Sequence, residues 1–405
     1  MTDLPERHIT LDVIRGFAVM GILIMNIAAF GLPNYAYLDP SFYGGDTGAD
    51  LWAWALAYAV ADGKMRMLFT LLFGASLALT TDRAENPAFA HFARMAVLLG
   101  FGMIHAWLIW YGDILVEYAL VGAALFWVCR WPPAALLMLA AALVLLKSGL
   151  VLSGLQADVA LRAAAAAPDA TATVRAAWAV RASALTPDTA AIPAEIAGFR
   201  GGLADVFAAR APITILFQTV FVPFGVIETT GLAAVGLALY RLGFLTGDWS
   251  TRAYRLLILA GLLALLLYPP LIRAIVAARW ASLTLSAADQ ASLALRPFVA
   301  LGYAAALILW VRSGRAAWLR DRFAAAGRMA FSNYLGTSLV ATTVFYGYGL
   351  GLFGQLSRAQ LYWVVLLIWV LILAWSQPWL TRFRYGPFEW LWRSLARGAP
   401  QPMRR

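Results

Sequence analysis

The chain has 405 residues, of which 62% are hydrophobic and only 13% are charged, and its formal net charge is +10. A soluble protein carries about twice that share of charged residues, so most of this surface must face lipid or other helices. A soluble protein is therefore excluded. The positive charge is typical of basic residues at the ends of membrane helices, so we expect no nucleic-acid partner.

The apolar runs, taken in chain order, predict an all-α bundle of about ten transmembrane helices in one membrane domain, residues 1–405. About 20 apolar residues are needed to cross a hydrocarbon core. The sixth run contains Pro223 and Gly225, which could break it and raise the number of spans to eleven. The predicted spans are residues 10–31, 65–82, 90–111, 114–130, 133–154, 214–244, 253–277, 294–312, 323–346 and 359–380.

Three segments fall outside these spans. Residues 32–64 contain the aromatic stretch LWAWALAY and predict an interfacial helix on the outer side, because Trp and Tyr favour the headgroup level. The Ala-rich residues 155–212 predict a helical cap outside the bilayer, and residues 381–405 form a basic tail. Most of the Lys and Arg residues, including Arg7 and Arg83, fall on segments that share a side with the N-terminus. This asymmetry predicts that both termini are cytoplasmic.

Ionisable residues inside apolar runs are candidates for function, because an unpaired charge at membrane depth is costly. Asp12 and Arg15 lie three residues apart on one face of the first span, and Asn26 follows roughly on that face three turns deeper. The pair could neutralise itself near the membrane surface, or Arg15 could bind a phosphate.

A second charged group, Asp62, Lys64 and Arg66, precedes and enters the second span from the outer side. These residues are either interfacial anchors or part of a polar cavity. Glu228, in the sixth span, has no partner nearby in sequence and needs a basic neighbour, a hydrogen-bonding neighbour or a proton.

The stretch GMIHAWLIWYGDILVEYALVG holds His105, Asp113 and Glu117 around a predicted turn at Gly112. A tight turn would bring His105 and Glu117 to similar depths. A carboxylate beside an imidazole fixes its tautomer and raises its basicity, as a general base requires. The alternative is a structural polar bridge between two helices.

Polar residues also mark the ninth span, where Arg328 precedes Ser332, Asn333 and Tyr334. The last three cannot share one helix face, so only some of them could line a cavity. We expect no metal site, since the three histidines are dispersed and Cys129 is the single cysteine.

Several motifs resemble those of the YeiB family, bacterial inner-membrane proteins defined by a domain of unknown function. They extend over nearly the whole chain, and the resemblance implies a multi-pass protein of the bacterial inner membrane. The motifs are LDVIRGFAVMGILIMNI, GKMRMLFTLLFGASLAL, HAWLIWYGDIL, GLALYRLGF, GRMAFSNYL, YGYGLGLFG and YGPFEWLWRSL.

That family is more distantly similar to transmembrane acyltransferases, such as heparan-α-glucosaminide acetyltransferase and acyltransferase-3 proteins. The resemblance implies transfer of an acyl group from cytoplasmic acyl-CoA to a small-molecule or lipid-linked acceptor at the outer side. Arg15 matches the basic residue of the acyltransferase-3 first span, whereas Asn26 stands where those proteins have histidine.

On this hypothesis, Arg15 and Arg328 would hold the donor phosphates, and His105, oriented by Asp113 or Glu117, would deprotonate the acceptor. Asn26 would stabilise an oxyanion or orient the substrate. The remaining intramembrane polar residues would line the substrate cavity: Asp62, Lys64, Arg66, Glu228 and Asn333. The alternative is a transporter or binding protein for a small or lipid-like molecule, with the same charges along its path.

Overall fold

A computed structural model describes residues 9–81, 87–185 and 188–405, and these residues contain helices and no β-strand. Arg7, His8 and Arg83 lie outside the described residues. The helices of the first half are α1 (Ile9–Gly31), α2 (Gly48–Val60), α3 (Lys64–Thr81), α4 (Pro87–Ile104), α5 (Leu115–Leu125), α6 (Pro133–Ala166), α7 (Ala172–Leu185) and α8 (Ile192–Arg200). Those of the second half are α9 (Leu203–Leu216), α10 (Val222–Arg241), α11 (Thr251–Leu265), α12 (Tyr268–Ala277), α13 (Ser282–Ser313), α14 (Ala317–Arg328), α15 (Ala330–Phe345), α16 (Leu361–Arg382) and α17 (Pro387–Arg397).

Within the described ranges, seven helical stretches are long and apolar enough to cross a membrane. The prediction of an all-α membrane bundle is confirmed, while the count of about ten spans and the cytoplasmic termini stay predictions. The seven stretches are Ile9–Gly31, Ala88–Ile109, Pro133–Ala166, Leu203–Arg241, Thr251–Ala277, Ser282–Ser313 and Leu361–Arg382.

Several predicted helix boundaries are wrong: the spans 214–244 and 294–312 begin earlier, at Leu203 and Ser282, and two further differences have clear physical reasons. The fifth span does not end at residue 154 but continues as α6 to Ala166, because this Ala-rich sequence favours a helix and contains no breaker. The predicted span 323–346 is broken at Met329, whose amide hydrogen-bonds both Ala325 and Ala326 carbonyls as α14 ends. The polar helix α14 and the apolar helix α15 are therefore two separate helices that meet at Met329.

The sixth predicted span is one helical stretch from Leu203 to Arg241, with a π-helical turn at Phe217–Phe221. This turn ends two residues before Pro223, which has no amide hydrogen to donate. A π turn adds one residue to the helix and accommodates such a local mismatch. The stretch therefore passes Pro223 without ending.

Glycines allow the central helices to pack closely. A side chain at Gly74 of α3 would overlap the carbonyl of Ala233 in α10, and a side chain at Gly236 would overlap the carbonyl of Leu71. Small residues permit this approach of two backbones in membrane bundles, where packing rather than hydrophobic burial holds helices together. The contact fixes α3 against α10, and both helices carry charged side chains of the candidate site.

Polar contacts close the end of the bundle where α1 finishes. Glu195 of α8 accepts a hydrogen bond from the Asn34 amide at 2.8 Å, and Arg200 donates to the Phe353 carbonyl at 2.6 Å. The buried Arg358 donates to the Ala36 carbonyl at 2.5 Å. Burial raises the pKa of Glu195 above that of an ordinary glutamate. The Glu195 contact ties α8 to the chain that leaves α1, and the Arg358 contact ties the segment before α16 to the same chain.

Candidate functional site

The strongest candidate for chemistry is a histidine–aspartate pair at the end of α4. His105 begins a π-helical turn, His105–Ile109, after which Trp110 is extended and the chain reverses towards α5. The Nδ1 atom of His105 lies 2.7 Å from Oδ2 of Asp113, and both side chains are fully buried. The other Asp113 oxygen accepts the Val116 amide at 2.8 Å and so caps the first turn of α5. Both members of the pair are therefore fixed by helix ends.

The Nε2 atom of His105 is buried and has no hydrogen-bond partner among the described residues. In the tautomer whose Nδ1 donates to Asp113, the Nε2 lone pair is available. Aromatic rings surround the imidazole, with Tyr334 at 5.1 Å and Trp110 at 6.3 Å between ring centroids. The imidazole is thus held in one orientation beside two aromatic rings.

A small cavity of about 10 Å³ lies between α1 and α15, and Tyr334, which contacts His105, is part of its lining. Asn26, Tyr334 and Ser338 contribute its polar lining, and Phe30, which also lines it, stacks on Trp110 at 4.0 Å. The volume is about that of one water molecule. Asn26 and the His105–Asp113 pair therefore border the same group of aromatic side chains.

Glu117 does not contact the imidazole, contrary to one of the two predicted pairings. The π-helical turn and extended Trp110 lengthen the connection, so Asp113 rather than Glu117 faces His105. Glu117 instead accepts a hydrogen bond from Thr229 and lies 3.6 Å from Arg66.

Glu117 belongs to a network of four charges drawn from four helices. Arg66 of α3 lies 3.3 Å from Glu228 of α10, and Lys147 of α6 also binds Glu228. Arg66 donates to the Thr229 hydroxyl at 3.0 Å. The two carboxylates and two cations balance, as buried charges require. Glu228 thus has two basic neighbours, which is one of the three arrangements expected for a carboxylate in an apolar span.

The other two members of the predicted outer group bind elsewhere. Asp62 pairs with Arg296 of α13 at 3.0 Å, while the fully buried Lys64 donates to the Tyr58 carbonyl at 2.7 Å. The Lys64 ammonium also lies 3.9 Å from the centre of the Tyr268 ring, a cation–π distance. Asp62, Lys64 and Arg66 therefore occupy three separate environments.

The phenol of Tyr37 connects two of these environments. Burial raises its pKa, Asp62 raises it further, and Arg66 and Arg296 lower it, so all three charges lie within electrostatic range. Tyr37 follows α1 in a short 3₁₀ turn, Asn34–Tyr37. The Arg66 network and the Asp62–Arg296 pair are therefore separate sets of contacts that both act on the Tyr37 phenol.

A separate cleft of about 380 Å³ opens where α1 begins. Arg328 and Arg405 line it together with Asp12 and Asp321. Arg15 does not line it, although Arg15 binds Asp12 at 3.2 Å and Ser76 of α3 at 3.1 Å. Of the two arginines predicted to act together, Arg328 lines this cleft and Arg15 does not.

The side chains of the Ser-Asn-Tyr stretch diverge, as helix geometry requires. Ser332 binds the Glu389 carboxylate, Asn333 donates to the Ser376 hydroxyl at 3.1 Å, and Tyr334 contacts the imidazole. Asn333 therefore joins α15 to α16 and lines neither cavity described above.

Three residues with important contacts were missed by sequence reasoning: Lys147, Arg296 and Glu389. Lys147 and Arg296 lie inside otherwise apolar stretches, and that isolation was the available signal. Glu389 accepts hydrogen bonds from the Phe331 and Ser332 amides at the start of α15, as a helix N-terminus favours. In the part of the chain that the structure describes, no three His, Cys, Asp or Glu residues are grouped as metal ligands would be.

Comparison with known proteins identifies the family. The model of a family described as "Protein of unknown function (DUF418)" matches residues 239–399. The chain is 35% identical to "Uncharacterized protein YeiB" of Escherichia coli (strain K12), over 98% of each sequence. It is 31% identical to "Uncharacterized protein YxaH" of Bacillus subtilis (strain 168), over 98% of this chain and 96% of that protein. These matches confirm the resemblance to YeiB, and the chain belongs to the YeiB-like DUF418 family of helical membrane proteins.

Proposed function

We propose that this protein is a membrane acyltransferase in which His105 is the general base. The observation that carries the proposal is the fully buried His105–Asp113 pair, whose Nε2 atom has no hydrogen-bond partner among the described residues. A purely structural histidine would be expected to use both ring nitrogens, because an unpaired buried polar atom is costly. An acceptor hydroxyl or amine is the chemical group that would complete this site.

The reaction would transfer an acyl group from a thioester to the acceptor. Nε2 takes the proton of the acceptor hydroxyl or amine as the acceptor attacks the thioester carbonyl carbon. The carbon–sulfur bond then breaks, and the imidazolium returns the proton to the leaving thiolate. Asp113 stabilises the transient imidazolium, and Asn26 or Tyr334 would donate a hydrogen bond to the developing oxyanion.

The cleft at the beginning of α1 is the candidate site for the phosphates of an acyl-CoA donor. Asp12 is paired with Arg15, and Asp321 is paired with Arg320 at 2.7 Å. Arg328 and Arg405 line this cleft, and guanidinium groups bind phosphate well. Arg15 acts on this cleft through Asp12 and is not a direct ligand in this proposal.

Acyl-CoA turnover by the purified protein tests the proposal. Detergent-solubilised protein should release free thiol from acetyl to long-chain acyl-CoA donors without any ion gradient. Arg328→Gln should raise the donor KM, while Arg315→Gln, which removes an exposed arginine outside the cleft, should leave it unchanged. Absence of both donor binding and thiol release from folded protein would reject the acyltransferase.

A transporter is the second candidate, and the Arg66 network favours it. Charges inside a membrane protein often mark the path of an ion or ionised ligand. A transporter would move its ligand unchanged across a vesicle membrane and would not consume acyl-CoA. Its activity should be lost with Glu228→Gln but retained with His105→Ala, the reverse of the acyltransferase expectation.

A further inference from the structure

The π-helical turn that carries His105 needs hydrogen-bond donors from elsewhere in the chain. The Trp110 amide bonds the His105 carbonyl at 2.8 Å, and Trp110 is then extended. Because the helix ends here, the carbonyls of its last turn have no regular helical amide to bond. Inside a membrane protein, water does not freely replace such partners. Another element must therefore satisfy these carbonyls.

Arg210 of α9 supplies two of the missing donors. Its Nη1 atom donates to the Ile109 carbonyl at 2.7 Å, and its Nη2 atom donates to the Trp107 carbonyl at 2.6 Å. The arginine is only 3% exposed. Thr214, four residues later on α9, donates its hydroxyl to the Ala106 carbonyl at 3.4 Å. Helix α9 thus satisfies three carbonyls of the π-helical turn.

The chemistry of Arg210 suits this position. The carbonyls at the end of a helix carry partial negative charge, which a cation stabilises. Both terminal nitrogens of Arg210 bond carbonyls rather than a carboxylate. A planar guanidinium holds two acceptors at once in a fixed geometry, whereas a lysine ammonium is a single point charge. Arg210 therefore fixes the conformation of the turn as well as satisfying its carbonyls.

The conformation of the turn determines how His105 meets its partner. A π-helical turn holds one residue more than an α-helical turn. With this extra residue and the extended Trp110, the chain places Oδ2 of Asp113 2.7 Å from Nδ1 of His105. Regular α-helical bonding would change the direction in which the imidazole points. The contacts of Arg210 at the end of the turn therefore act on the histidine at its start.

We propose that Arg210 is a positioning residue that holds His105 in its pairing with Asp113. The consequence for catalysis rests on the acyl transfer proposed above, in which His105 is the general base. Arg210 contacts no reacting atom in that mechanism. It acts through the main chain of the π-helical turn.

Nitrogen-15 NMR of the full chain, labelled at histidine, tests the pairing directly. The chain has three histidines, so His105→Ala identifies the signals of His105. The unmodified protein should show a protonated Nδ1 and an unprotonated Nε2, and Arg210→Gln should shift these signals towards the other tautomer or a mixture. Arg358→Gln is the matched control and should leave them unchanged. Arg358 is also 3% exposed and also donates to two carbonyls, those of Ala36 and Tyr43.

Thiol release from acyl-CoA is the second readout. Arg210→Gln should lower kcat about 100-fold, as expected when a catalytic group is displaced by about 1 Å. The donor KM should be unchanged, because the cleft proposed for the donor is lined by other residues. Arg210→Lys keeps the charge but cannot bond both carbonyls in the same geometry. It should therefore change the His105 signals and kcat in the same direction and by less.

Unchanged His105 signals in folded Arg210→Gln would overturn this role, even if the protein releases thiol. If that variant does not fold, Arg210→Lys decides, and unchanged signals there would overturn it. Equal changes in Arg210→Gln and Arg358→Gln would show a general effect of losing a buried arginine and would also overturn it. Absence of thiol release from the unmodified protein would reject acyl transfer, and the NMR comparison would still decide whether Arg210 positions His105.

Discussion

The side chain of His105 is held by a partner that also organises the backbone around it. One oxygen of Asp113 binds the imidazole, and the other caps α5 through the Val116 amide. Asp113 therefore fixes both the tautomer of the histidine and the start of the next helix. Asparagine has the same shape as aspartate, and its carbonyl oxygen can still accept one of these two hydrogen bonds. Asp113→Asn can therefore separate the effect on the histidine from the effect on the helix start.

Asp113→Asn should lower acyl transfer by about 100- to 10,000-fold while the protein remains folded. The amide has no charge to stabilise an imidazolium, and it can favour the unproductive tautomer. Thiol release from acyl-CoA measures the acyl transfer, and the far-ultraviolet circular dichroism spectrum shows whether the protein remains folded. Unchanged thiol release would remove Asp113 from the proposed mechanism.

Helices α3 and α10 pack at a distance that only glycine allows. Gly74→Ala should destabilise the protein by about 1–3 kcal/mol, because the new methyl group overlaps the Ala233 carbonyl and separates the helices. Gly100→Ala is the matched control, since a side chain there meets nothing within 4 Å. Thermal unfolding in detergent should show a clear loss for the first variant. Equal unfolding temperatures would contradict the close packing.

The contact between α8 and the turn after α1 should depend on pH. Burial raises the pKa of Glu195, so the folded state holds the proton more tightly than the unfolded state does. The stabilising effect of that proton is fully present below the ordinary glutamate pKa and is lost as pH rises through the raised value. Hydrogen exchange of the Asn34 amide should therefore become faster, beyond its intrinsic pH dependence, across this range.

Glu195→Gln is the control for this pH effect. The glutamine keeps an oxygen acceptor for the Asn34 amide but has no titratable group. Its protection should be nearly independent of pH once intrinsic exchange is subtracted. The same pH dependence in both proteins would show that another group is responsible.

The four-charge network connects α3, α5, α6 and α10 across the bundle. Arg66→Met should cost about 3 kcal/mol, because it leaves Glu117 without its arginine and Glu228 with Lys147 alone. Glu228→Gln should relieve part of that cost in the double variant. Unfolding free energies of the two single variants and the double variant give the coupling, which we expect to be about 1–3 kcal/mol. Additive effects would argue against a shared network.

The sequence was sufficient to predict the helical membrane bundle, since the apolar runs are long and separated by polar or turn-forming segments. It also indicated that His105 and a nearby carboxylate could meet. It could not select Asp113 over Glu117, because that choice depends on the π-helical turn and the extended Trp110. Lys147 and Arg296 were not predicted as the partners of Glu228 and Asp62, because local periodicity does not show which helices pack together.

The most direct measurement is thiol release from acyl-CoA by His105→Ala beside His91→Ala. Both histidines are buried, but His91 Nε2 binds the Gly122 carbonyl at 2.8 Å and has a structural role. We predict that His105→Ala abolishes thiol release while folded His91→Ala retains it. Full thiol release by His105→Ala would contradict the assignment of His105 as the catalytic base.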